Sequence, residues 1–150
     1  MIRPHFEYCS TVWMKPNSGH IKRLQILQNR ALRTVLKVDY RHSRRDLYQR
    51  LQIDCLNAKV KKDLVILIYK ILHNILPDFL SNQLILKISN YNIRISALKI
   101  QLPKPNTNFC KNSTIYIATQ LFNELPEPIR TETILSHFQK AIDSVFLLEL

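Results

Sequence analysis

Nine of the chain's 22 lysines and arginines lie between positions 22 and 50: Lys22, Arg23, Arg30, Arg33, Lys37, Arg41, Arg44, Arg45 and Arg50. Fixed ammonium and guanidinium groups at that density suit contact with a polyanion, because each phosphate they neutralise releases condensed counterions. The charge is also one-sided. Residues 1–62 hold 14 Lys/Arg against 4 acids, a net of +10, whereas residues 63–150 hold 8 against 7, a net of +1. A basic face that is merely solvated would share this composition. The two readings part only on whether phosphate is bound.

Nothing comparable supports catalysis. Two-metal phosphoryl transfer needs clustered carboxylates that hold cations about 3.5–4 Å apart, yet no two acids are adjacent here and no aromatic-x-Asp-Asp occurs. The five histidines, His5, His20, His42, His73 and His137, are at least 15 positions apart. His5 and Cys9 form a single i,i+4 pair, which is too few ligands for a metal site. Gly19 is the only glycine, so no glycine-rich phosphate loop can form. A Cys–His nucleophile would lack both a supporting acid pattern and an oxyanion loop. The expectation is no catalytic residue, no metal, no cofactor and no small-molecule substrate.

Hydrophobic periodicity supplies the elements that would position the cations. With 150 residues of which 46% are hydrophobic, the chain is sized for a single core, and the pattern predicts an all-α helical module with one short extended arm. The turn at Asn17-Ser18-Gly19 precedes a helix over about 20–38. Stepping its residues at 100° each gathers Ile21, Leu24, Leu27, Ala31, Leu32 and Val35 into one arc, the expected packing face. Lys22, Arg23, Arg30, Arg33 and Lys37 fall in a separate arc about 100° wide, a cationic ridge. A short helix at 44–51, capped by Ser43 and with Asp46 in its first turn, carries Arg44, Arg45 and Arg50. Tyr40 and Tyr48 flank these arginines, as aromatics that stack on bases do, although packing with Leu47 and Leu51 is the favoured account of Tyr48.

A longer helix over about 55–76, with Asp54 as N-cap and Pro77 as its stop, is apolar nearly all round from Leu64 to Tyr69. It is expected to be the most buried element, with Leu67 at its centre and His73 as a partly buried structural residue. Tyr48, Tyr69, Phe122 and Phe138 read as packing side chains. Residues 78–92 are a link, and alternation over 93–102 marks a strand or extended arm ended by Pro103 and Pro105. A loop at 103–112, a short helix at 114–123, a rigid turn at Leu125-Pro126-Glu127-Pro128 and a final helix from about 133 complete the chain. These divide it into an aromatic N-terminal segment (1–19), a basic helical part (20–77), a linker and arm (78–112) and C-terminal helices (113–150).

The opening residues contain no apolar run of secretory length, and Cys9, Cys55 and Cys110 are odd in number and far apart. Reduced cysteines buried as small apolar groups are therefore expected, in an intracellular setting, cytoplasmic or nuclear. The apolar stretch Leu64–Ile75, interrupted by Lys70, His73 and Asn74, is too short to span a bilayer, so no membrane partner is expected. Phe6, Tyr8 and Trp13 near the N-terminus would form a protein-facing apolar patch.

The order of motifs carries a resemblance. Ile2-Arg-Pro-His-Phe-Glu-Tyr-Cys-Ser-Thr-Val-Trp13, a turn, and Ile21-x-x-Leu24-Gln-x-x-Gln28-Asn-Arg-Ala-Leu-Arg33 resemble the segment that follows the polymerase domain in jockey-like non-LTR (LINE-type) retrotransposon proteins. The likeness continues through Leu47-Tyr48-x-x-Leu51-x-Ile53, Ile68-Tyr-Lys-Ile71, Asn74-x-Leu76-Pro77 and Asn92-Ile-Arg94. It ends with Ser113-x-x-Tyr116, Leu121-Phe-Asn-Glu-Leu-Pro126 and Ile129. Ile93 is a departure, since that family's arm has Thr there.

The resemblance implies a helical thumb-to-C-terminal region downstream of a reverse transcriptase palm. It implies the palm's catalytic aspartates, the endonuclease and any Cys/His knuckle to lie outside this chain, as in a truncated element copy or a partial gene model. The parent activity would be RNA-directed DNA polymerase, with this chain inactive alone. Its expected partners are an RNA or DNA backbone and the polymerase domain itself. A protein-interaction module docking on that palm, and an inert fragment, are the alternatives.

Overall fold

Near-absence of glycine leaves its mark on how the helices end. Left-handed backbone at a helix C-terminus is usually supplied by glycine, but here Lys37 (φ 51°), Gln52 (φ 50°) and Asn74 (φ 53°) adopt it. Each closes the helix before it by a six-to-one bond: Val38 N–H to Arg33 C=O (3.1 Å), Ile53 N–H to Tyr48 C=O (3.2 Å) and Ile75 N–H to Lys70 C=O (2.9 Å). The long central helix therefore ends at Leu72, before Pro77 is reached. A left-handed L-residue costs roughly 1–2 kcal/mol that glycine avoids. Gln52→Gly, at an exposed position, is accordingly expected to raise stability by about 0.5–1 kcal/mol in urea unfolding; unchanged or lower stability would contradict this account of the cap.

The computed structural model describes residues 8–13, 15–16, 18–86, 99–102 and 104–146. Five substantial helices are present among them: α2 (Gly19–Leu36), α3 (Arg44–Leu51), α4 (Leu56–Leu72), α7 (Thr114–Glu124) and α9 (Leu135–Phe146). Single-turn helices α1 (Ser10–Trp13), α5 (Asp78–Ser81), α6 (Asn108–Lys111) and α8 (Glu127–Arg130) join them. The only sheet among the described residues pairs β1 (Ile85–Leu86) with β2 (Ile100–Gln101) antiparallel, Ile85 opposite Gln101 and Leu86 opposite Ile100. The protein is thus mostly helical. The expected arm survives as β2, while its residues 93–98 lie outside the described set. The loop at 103–112 contains α6, and the expected rigid turn at 125–128 is a turn of helix, with Pro126 at its cap and Pro128 in its first turn, where a missing N–H costs nothing.

Capping follows the sequence in part. Ser18 Oγ accepts from Ile21 N–H (3.3 Å) and Ser113 Oγ from Tyr116 N–H (3.3 Å). Ser43 holds the cap position of α3 without a side-chain bond. At α4 the expected Asp54 cap is displaced by one residue: the helix starts at Leu56, and Cys55 Sγ accepts from Ala58 N–H (3.4 Å).

The chain groups into two units, Met1–Lys61 with Val145–Leu150, and Lys62–Ser144. In the first, Ile21, Leu32, Leu47, Tyr48, Cys55, Leu56 and Ala58 are buried. In the second, Leu64, Val65, Ile68 and Tyr69 of α4 are buried, as are Phe122 of α7 and Phe138 and Ile142 of α9. Tyr69 stacks on Phe138 with centroids 4.2 Å apart, and Phe122 lies 6.4 Å from Phe138. The Tyr69 hydroxyl donates to Thr133 C=O; burial first, and the Glu132 charge second, push that phenol's pKa above its usual value.

Leu67 is only half-buried; the centre of α4 is Leu64, Val65 and Ile68, and Leu67 lies at the edge of that stripe, about 60° round the helix from Leu64. His73 is exposed, its ring 4.1 Å from that of Tyr69. Of the cysteines, Cys55 alone is buried, while Cys9, in the turn before α1, and Cys110, on the single-turn α6, are exposed. Lys62 is buried and its ammonium meets Asp143 at 2.8 Å, as a buried charge requires.

Candidate nucleic-acid interface

Helix α2 shows how the cations are presented. Lys22, Arg23 and Arg30 are exposed, as is Lys37 at its left-handed C-cap. Arg33 is half-buried, with its Nε enclosed and without a hydrogen-bond partner. Arg41, Arg44, Arg45 and Arg50 are exposed in the α2–α3 connection and on α3. Arg50 Nε donates to Asp46 at 2.8 Å, which ties part of its charge to its own helix. Asp46 also bonds His42. The His42 bond above all, with Arg50 beside it, holds the Asp46 carboxyl below the usual carboxylate range.

The face of α2 that packs is not the expected one. Ile21 and Leu32 are buried, but Leu27 and Val35 are 57% and 68% exposed and Ala31 is exposed too. The buried stripe is rotated toward Gln25, Gln28 and Asn29, and the reason is polar. Gln25 Oε1 accepts from Leu56 N–H (2.8 Å), satisfying the first amide of α4. Gln25 Nε2 donates to the Tyr48 hydroxyl, which in turn donates to Asn29 Oδ1. Gln28 Nε2 donates to Asp54 C=O at 3.4 Å. A helix whose neighbours offer orphan backbone groups and a buried phenol packs its amides there, and hydrophobic periodicity is blind to such partners.

The motif Gln25-x-x-Gln28-Asn29 is therefore the fastening that orients α2 against α3 and the start of α4. Ridge residues alternate with it along the same helix, so the fastening sets where the cations point. Tyr48 is buried and packs, as Tyr69, Phe122 and Phe138 also do. Tyr40 differs: it is 70% exposed beside Arg41. Core spacing marked Tyr48 for packing and left Tyr40 unassigned, and the fold leaves Tyr40 in the open.

The aromatic N-terminal set is partly described. Tyr8 is exposed, Trp13 is 50% exposed with its indole N–H donating to Tyr8 C=O (3.0 Å), and Phe6 lies outside the described residues. Among the described residues no group of three or more His, Cys, Asp or Glu could hold a metal ion. No described helix is long and apolar enough to cross a membrane. No protein-family model, curated protein or solved structure matches the chain.

Proposed function

We propose that the protein is a non-catalytic nucleic-acid-binding module, gripping an RNA or DNA backbone through the basic face of α2 and the arginines that follow it. The observation that carries this reading is the exposed row Lys22, Arg23, Arg30 and Lys37, with no acid on α2 to neutralise it. Phosphate contact of this kind positions a strand without reading its sequence. On the resemblance described above, the module corresponds to the region downstream of a retrotransposon reverse transcriptase palm, where such a grip would hold template and product.

Fluorescence-anisotropy titration over a range of salt tests the reading. Log affinity is expected to fall linearly with log salt, and Arg30→Gln with Arg33→Gln to weaken binding and flatten the slope by about one to two units, at roughly 0.7–0.9 per lost phosphate contact. Gln is a good helix former, so α2 persists. Absence of binding at low salt, or an unchanged slope in the double variant, would leave the ridge as a solvated face.

A second reading has its own observation. Trp13, Leu27 and Val35 are apolar and at least half-exposed, which suits docking on a protein such as a polymerase palm. Under that reading Trp13→Ala abolishes docking while the double Gln variant leaves it intact.

A further inference from the structure

We infer that Tyr40 is a stacking platform for an unpaired base, so that the strand gripped by the basic face is single-stranded or looped RNA or DNA. This rests on the nucleic-acid reading above and adds a residue and a strand state to it.

The ring is both presented and held. It projects from the α2–α3 connection with 70% of its surface exposed. Asp39 Oδ1 accepts from Tyr40 N–H at 2.6 Å, and Asp39 C=O accepts from His42 N–H at 3.1 Å. One end of the connection is closed by the left-handed Lys37, and the other is tied to α3 by the His42–Asp46 bond. Arg41 Nε donates to the Tyr40 hydroxyl at 3.0 Å, and its guanidinium carbon lies 5.5 Å from the ring centroid. A side chain steadied this way loses little further freedom when it is stacked upon.

Its surroundings fit a nucleotide. Lys37, Arg41, Arg44 and Arg45 all lie within five positions of Tyr40. The two acids nearby are already engaged, Asp39 by the Tyr40 amide and Asp46 by His42 and Arg50. An aromatic face accepts any base, since every base has a π-face. A duplex keeps those faces inside its own stack, so an exposed ring among phosphate-binding cations adds affinity only for unpaired bases.

The test compares a labelled oligoadenylate single strand with a labelled duplex by anisotropy at several salt concentrations. Tyr40→Ala is expected to weaken single-strand binding by about tenfold, in keeping with the loss of one base–aromatic stack, while duplex affinity and the single-strand salt slope stay at wild-type values. Tyr40→Trp is expected to restore or tighten single-strand binding. Wild-type single-strand affinity in Tyr40→Ala, or an equal loss on both nucleic acids, overturns the stacking role while the backbone grip stands. If the wild-type chain binds neither form at low salt, both readings fall together.

Discussion

Phe138→Ala is expected to lower unfolding free energy by about 3–5 kcal/mol, the range for emptying a buried aromatic site. The side chain is fully buried on α9, stacked against Tyr69 of α4 and near Phe122 of α7. Truncation removes the ring that both neighbours pack against, and Tyr69 cannot collapse into the space without giving up its bond to Thr133 C=O. A domain of ordinary stability retains about 5–15 kcal/mol, so the variant should be near its midpoint at modest urea. Loss below about 1 kcal/mol in a two-state urea titration would show that the ring stack is not the centre of the second unit. Phe138→Leu, which refills most of the volume, should recover the larger part of the loss.

The second large effect lies at the fastening. Gln25→Ala is expected to cost about 1–3 kcal/mol, since it leaves the Leu56 N–H without its acceptor and the Tyr48 hydroxyl without one of its donors. Tyr48→Phe should cost less, because it removes the shared hydroxyl without opening a cavity. The two together should fall short of their sum by at least about 0.5 kcal/mol, the signature of a shared network. Strict additivity in the double-mutant cycle would mean that the amides act independently. The same change carries a functional consequence: a loosened α2 presents its cations less uniformly, so Gln25→Ala should also weaken polyanion binding under conditions where the chain remains folded.

Much of the architecture was legible in the residues. Three-and-four spacing from Leu56 to Ile75 marked α4, though it placed the end near 76 and the helix stops at Leu72, and the aromatics Tyr48, Tyr69, Phe122 and Phe138 were recognisable as packing side chains because they sit at core spacing. The turn at Asn17-Ser18-Gly19 announced the start of α2, since a cap bond is local and needs nothing beyond the next three residues. The one-sided charge, and with it the candidate cations of α2 and α3, was a property of composition and helical geometry alone.

Three things depended on tertiary structure. The packing face of α2 was decided by partners far along the chain: the Tyr48 phenol and the orphan amide of Leu56 drew Gln25 and Asn29 inward and left Leu27 and Val35 in the open. The ends of α2, α3 and α4 fell where Lys37, Gln52 and Asn74 could turn left-handed, a conformation that Asn favours but that Lys and Gln do not advertise. Core spacing had already assigned Tyr48 to packing, but the exposure of Tyr40 was set by its place on the connection outside the helices. Periodicity reports which residues share a face of one helix. What that face meets is set by groups brought close only when distant segments pack, and here those groups are polar.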